Sequence, residues 1–183
     1  MWSTMQPFNY FPIIYDGLGG AFVREVACFV AEGMGIVSLH TQDQTCHVEF
    51  DFPSIWEKMK SCKSMPRMVW MLHTHYPTFD AMSETDALSA KGWASALGIP
   101  VEMDIVTKTM HRYLVYKRNV LIDVGTHEET MAEMLLTTVM RGLSAKHGDI
   151  SQELLDSIVV HLNDAIPARE WQPCERLHSE SSR

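Results

Sequence analysis

Apolar positions run unbroken through Met68-Val69-Trp70-Met71-Leu72 and deliver His73-Thr74-His75 at their end. A short run of this kind predicts a buried strand over Arg67–Leu72. Upstream, Phe22 to Val30 is apolar around Arg24 and Glu25, Glu32-Gly33-Met34-Gly35 has turn chemistry, and Ile36–His40 reads as a second strand. A helix over 21–32 competes, because Phe22, Val26, Phe29 and Val30 recur at helical spacing; the strand is favoured. Cys46–Phe52 alternates in part, with Val48, Phe50 and Phe52 on one side, and predicts a further strand. Pro53 and Ser54 open a helix to about Lys63 in which Ile55, Met59 and Cys62 share a face. A second helix starts at Ser83, passes Ala94 and stops near Gly98. Val101–Thr107 and Arg112–Tyr116 then form a hairpin around Lys108–His111, and Val120–Val124 is a third strand.

After Gly125 the pattern turns helical. Glu128–Arg141 sets Met131, Met134, Leu135 and Val139 on one side. Asp149 and Ser151 announce another helix through His161, with Leu154, Leu155, Ile158, Val159 and Leu162 apolar. At the start, Trp2, Phe8, Tyr10, Phe11 and Tyr15 make an aromatic lead-in that reads as an edge strand or extended arm. The tail after Pro167 is polar. The pattern implies an α/β chain with three parts: a sheet-bearing domain over 1–125, a helical extension over 126–166 packed on it, and a polar tail over 167–183.

Composition narrows the function. With 183 residues, 46% hydrophobic and 21% charged, the chain can build one proper core. The net charge of −8 supplies no basic groove, so nucleic acid is not an expected partner. No apolar run approaches membrane-spanning length, and no secretory leader precedes the first strand. Cys28, Cys46, Cys62 and Cys174 form no close pair, which suits a reduced, cytoplasmic setting with buried thiols. Most of the 13 methionines are expected as core filler.

The candidate chemistry gathers around the strand end. His73 and His75 are two residues apart, so on a strand both imidazoles point to one side. Asp86 can add an oxygen ligand. Two histidines and a carboxylate, with a fourth place for water, form a catalytic rather than a structural zinc set. Ser83 lies on an adjoining part of the same helix face as Asp86, where a hydroxyl can steady a developing oxyanion. Both residues also suit a plain helix cap, Ser83 as N-cap and Asp86 at the capping-box position. Asp80, inside the loop, is a competing third ligand.

The spacing His-x-His-x7-Ser-x-x-Asp, carried by His73, His75, Ser83 and Asp86, resembles the signature of the JAMM (MPN+, JAB-domain) zinc metallopeptidases. That family usually places proline directly after the second histidine; here Tyr76 intervenes before Pro77. The resemblance covers roughly residues 20–125. It implies an MPN-like (cytidine-deaminase-like) mixed, curved sheet flanked by helices, with helices added at the C-terminus. It implies zinc-dependent hydrolysis of a peptide or isopeptide bond, since many members cut ubiquitin-like proteins from their conjugates. It further implies a glutamate on an early strand as general base. Glu25, in Arg-Glu-Val-Ala-Cys-Phe-Val, fits that place, although Cys28 stands where the family often has glycine; Glu32 is the runner-up. The short interval after Asp86 leaves no room for the long insertion of some deubiquitinating members. The resemblance implies a protein or peptide substrate such as a ubiquitin-like conjugate, and partners within a larger complex. Two rival readings stand beside this one. The first is a catalytically inactive MPN-like scaffold, whose members usually lack zinc ligands. The second is a dinuclear phosphoesterase using Asp104 and Asp123, both of which read more simply as surface residues.

Overall fold

The computed structural model describes residues 22–42, 49–76, 79–116 and 119–172. The aromatic lead-in, residues 46–48 of the expected third strand, and the last eleven residues of the tail lie outside the described residues.

Strand β1 (Val26–Ala31) turns through Gly33 into β2 (Gly35–Thr41), antiparallel to it. Helix α1 (Phe52–Lys60) follows, then β3 (Val69–Thr74), helix α2 (Glu84–Leu97), and the meander β4 (Val101–Val106), β5 (Met110–Tyr116) and β6 (Val120–His127). Helices α3 (Met131–Ala145) and α4 (Gln152–Ala165) end the described fold, with one further helical turn at Ala168–Glu170. The six strands form one mixed sheet in the order β2-β1-β3-β4-β5-β6. Among the described strands only β3 and β4 run parallel. A parallel pair needs a crossover, and α2 supplies it.

The apolar run of β3 is explained by burial on both faces. Met71 joins Phe29, Met103, Ile105, Ile55, Met59 and Trp93 in the core beneath α1 and α2. Trp70 and Leu72 point the other way, into a core shared with Leu136, Met140 and Leu143 of α3 and Leu155 and Leu162 of α4. α3 and α4 therefore close the second face of the sheet. β6 runs on to His127, so the strand crosses residue 125. α4 also protects the outer edge of β2: Asn163 accepts from the Ile36 amide and donates to the Ile36 carbonyl, both at 2.8 Å. An edge strand with open amides invites wrong pairing, and these side-chain bonds close part of it. The contact depends on Gly35, at φ +84°, where an added Cβ would lie 2.6 Å from Asn163 Oδ1.

Three expectations are corrected. Phe52 is the first residue of α1 rather than the end of a strand, because the Asp51 carboxylate accepts from the Ser54 amide and caps the helix, which starts one residue before Pro53. Met131 and Met134 are exposed; the inner face of α3 is Ala132, Leu136, Val139, Met140 and Leu143, which the 3.6-residue period also permits. Asp104 is not a surface residue. It is 1% exposed and its Oδ1 accepts from Arg112 Nε at 2.8 Å, inside a charged cluster with Glu102, Glu133 and His127 between the sheet and α3. Among the described residues, no helix is long and apolar enough to cross a membrane.

Candidate metal centre

β3 carries His73 inside the strand and His75 one residue past its end, both buried. The strand is rigid because it is paired on both sides, with Ala27 and Ile105 flanking His73. Its pleat aims both imidazoles at the face covered by α1 and α2. There the chain returns to start α2. Ser83 is the N-cap: its Oγ accepts from the Asp86 amide at 3.1 Å, while Asp86 Oδ2 accepts from the Ser83 amide at 2.9 Å. This capping box turns the Asp86 carboxylate back toward the helix start and toward β3. The loop before it is held by Tyr113, whose hydroxyl accepts from the Met82 amide at 3.1 Å.

The three side chains converge. His73 Nε2 and His75 Nε2 are 2.8 Å apart, His73 Nε2 is 3.1 Å from Asp86 Oδ1, and His75 Nε2 is 3.1 Å from Asp86 Oδ2. Among the described residues this is the group of His, Cys, Asp and Glu whose ligand atoms lie close enough to hold one metal ion. Asp80 is not in it.

The protonation pattern fits a cation. His75 Nδ1 is 3.2 Å from the Phe79 carbonyl, which can only accept, so Nδ1 carries the hydrogen. In the neutral ring the Nε2 lone pair then faces inward. A backbone partner on the outer nitrogen is the usual way a ligating imidazole is oriented. With edges of 2.8, 3.1 and 3.1 Å, the two imidazole nitrogens and the carboxylate would hold a small divalent cation such as zinc.

The groups also shift one another's protonation. For Asp86, burial opposes the charged form, but the hydrogen bonds of His73 and His75, the charge of His73 and the Ser83 amide outweigh it and hold the carboxyl well below the usual range. For His75, burial disfavours the charged ring, yet the bond and charge of Asp86, the charge of Glu25 and the Phe79 carbonyl raise its pKa.

Glu25 lies just before β1. The register pairs Ala27 with His73, and continuing it by two residues sets Glu25 across from His75. Residues opposite one another in an antiparallel pair put their side chains on the same face. Glu25 is half-buried, and its charge acts on His75. Glu32 is at the far end of β1, ion-paired with Arg67 at 3.0 Å, about 20 Å along the strand from Glu25. Glu49 and Glu57 are exposed.

Sequence reasoning missed the residues that support this arrangement. Thr74 lies between the two histidines and faces the opposite core, where its Oγ1 accepts from the Val26 amide at 2.8 Å and from Ser144 Oγ at 2.7 Å. The only signal was a polar residue at a strand position whose neighbours on that face, Trp70 and Leu72, are apolar. No protein-family model and no curated protein sequence matches this chain.

Proposed function

We propose that this protein is a zinc-dependent metallopeptidase of JAMM type on an MPN-like fold, hydrolysing a peptide or isopeptide bond. One observation carries the reading: His73, His75 and Asp86 converge within ligand distance of one another, and the charge of Glu25 acts on His75. Zinc is the metal that this donor set suits, and when bound it supplies Lewis acidity toward a water molecule and a carbonyl oxygen. Glu25 accepts the proton of the attacking water and returns it to the leaving amine. The Ser83 hydroxyl uses a lone pair on the Asp86 amide and keeps its proton to donate to the oxygen that gains charge, a contribution of about 3 kcal/mol. Tyr76 and Phe79 are exposed beside His75 and would form a rim for the substrate chain. The substrate class is a protein or peptide, with the C-terminal glycine of a ubiquitin-like modifier as the acyl side, and a cytoplasmic setting suits it.

The test is metal content by mass spectrometry on the purified protein beside a His73→Ala/His75→Ala variant. One zinc per chain, lost in the variant, supports the site. A C-terminal fluorogenic amide of ubiquitin then reads hydrolysis, with Glu25→Gln as the control. Wild-type protein that takes up no zinc after incubation with the ion overturns the reading, and an inactive scaffold becomes the better description.

A further inference from the structure

Glu25 stands outside the β1 ladder, yet the backbone around it is held on every side by distant parts of the chain. The Val23 and Arg24 amides both donate to the Ser144 carbonyl, at 2.8 and 3.3 Å. The Glu25 carbonyl accepts from Thr41 Oγ1 at 2.7 Å, and the Val26 amide donates to Thr74 Oγ1. The Arg24 side chain is 4% exposed. Its Nε donates to the Lys146 carbonyl at 3.1 Å, and its terminal nitrogen donates to the Gly148 carbonyl.

Those acceptors belong to the last turn of α3 and the link to α4. Carbonyls at a helix C-terminus have no partner within the helix and carry the negative end of its dipole, so a guanidinium suits them. Arg24 stands at a bend directly before Glu25. Its side chain is buried against the carbonyls at the end of α3, while the charge of Glu25 acts on His75. Ser144 adds a second tie, because its hydroxyl bonds Thr74, the residue between the two histidines. The end of α3 thus touches both the segment carrying the proposed base and the strand carrying two proposed ligands, from the opposite side of the sheet.

Resting on the proposed metal site, we infer that Arg24 and Ser144 are positioning residues: the end of α3 is a socket that fixes where Glu25 stands relative to His73 and His75. The helical extension is therefore part of the site's support. A group on a free segment would sample many positions, whereas a preorganised site needs its side chains within about 0.5 Å of the working geometry.

Cobalt(II) alone serves as the probe, with carbon-13 glutamate in the protein. In the wild type the Glu25 side-chain resonance, assigned by its loss in Glu25→Gln, is displaced by the paramagnetic ion. In Arg24→Met the displacement collapses while cobalt is still bound one per chain, because no ligand was touched; Arg24→Lys recovers part of it. Should Arg24→Met fail to fold, Ser144→Ala, which deletes a single hydroxyl, carries the same comparison. An unchanged displacement in both variants overturns the inference. On the fluorogenic ubiquitin amide, Arg24→Met lowers kcat about 100-fold with KM kept, as loss of an aligned base does. The double variant with Glu25→Gln is then no slower than Glu25→Gln alone, and additive losses overturn positioning in favour of a merely structural role. Wild-type protein that shows the displacement and cleaves nothing overturns the proposed hydrolysis and leaves the socket standing. Wild-type protein that binds no cobalt removes both.

Discussion

Thr74 and Ser144 meet hydroxyl to hydroxyl at 2.7 Å on the sheet face opposite the one that carries His73 and His75. The same Thr74 oxygen accepts from the Val26 amide, so one side chain joins β1, β3 and α3. Thr74→Val keeps the shape and removes the oxygen. It leaves the buried Val26 amide without an acceptor, a cost of about 1–3 kcal/mol. Denaturant unfolding should show that loss as a lower midpoint with an unchanged slope.

Metal binding should raise the melting temperature. An ion that binds only the folded chain stabilises it by about 2.7 kcal/mol at 100 times its dissociation constant. Zinc should shift the wild-type transition upward and a chelator should reverse the shift. Asp86→Asn should weaken the response and His73→Ala should abolish it; an equal zinc shift in His73→Ala would place the ion elsewhere.

Stability should fall on the alkaline side. Glu102 is 1% exposed on β4, and its Oε2 lies 3.0 Å from Arg112 Nε, but the single hydrogen there is directed to Asp104. Burial, then the charge of Asp104, against the opposing charge of Arg112, pushes its carboxyl up to about 8. The folded state therefore holds a proton that the unfolded chain releases near its ordinary 4.5. The contribution is full below the unfolded value and is lost as pH rises through about 8, at no more than about 1.4 kcal/mol per pH unit. Glu133 acts in the opposite sense. Burial opposes its charge, but Arg112 and the Thr130 amide outweigh it and lower its pKa, so its contribution is lost as pH falls. Glu102→Gln should flatten the alkaline limb, measured by urea unfolding between pH 6 and pH 9.

What could be read from the sequence was local. The apolar run of β3, the Ser83 and Asp86 cap and the Gly98 stop are all encoded by neighbours within one turn or one strand, and they appear where expected. The α/β class with a mixed sheet follows from the same signals. The inner face of α3 was misread because methionine suits both a core and a surface, and only the packing of the sheet decides which stripe is covered. Asp104 was misread because its burial depends on Arg112 and Glu133, and no spacing rule announces a charge cluster assembled across two strands and a helix. The curvature and family of the fold stay with the resemblance.

Thiol reactivity should separate two cysteines. Cys28 is fully buried in β1, and burial pushes its thiol far above the ordinary value, whereas Cys62 is half-buried just beyond α1. The thiolate is the reactive form. Iodoacetamide on the native protein should modify Cys62 and leave Cys28 until denaturant is added, read by peptide mass spectrometry. Fast native labelling of Cys28 would contradict the packing of β1.

Gly35→Ala should destabilise by more than about 1 kcal/mol, because a side chain at positive φ is strained and its Cβ meets Asn163 Oδ1. Asn163→Ala in the same background should relieve the clash and yet lose the two Ile36 bonds. Thermal melts of the two single variants and the double variant test this: the losses should be less than additive.

The contacts of Arg24 also set an order in time. The proposed ligands fall within residues 73–86, a span that leaves the ribosome together. The carbonyls that hold Arg24 come 122 and 124 residues after it. A growing chain thus carries every donor atom of the metal group long before residue 148 is made, and the segment around Glu25 must wait for it. The proposed ligands are thus complete early in synthesis, whereas the contacts that hold the segment around the proposed base come among the last.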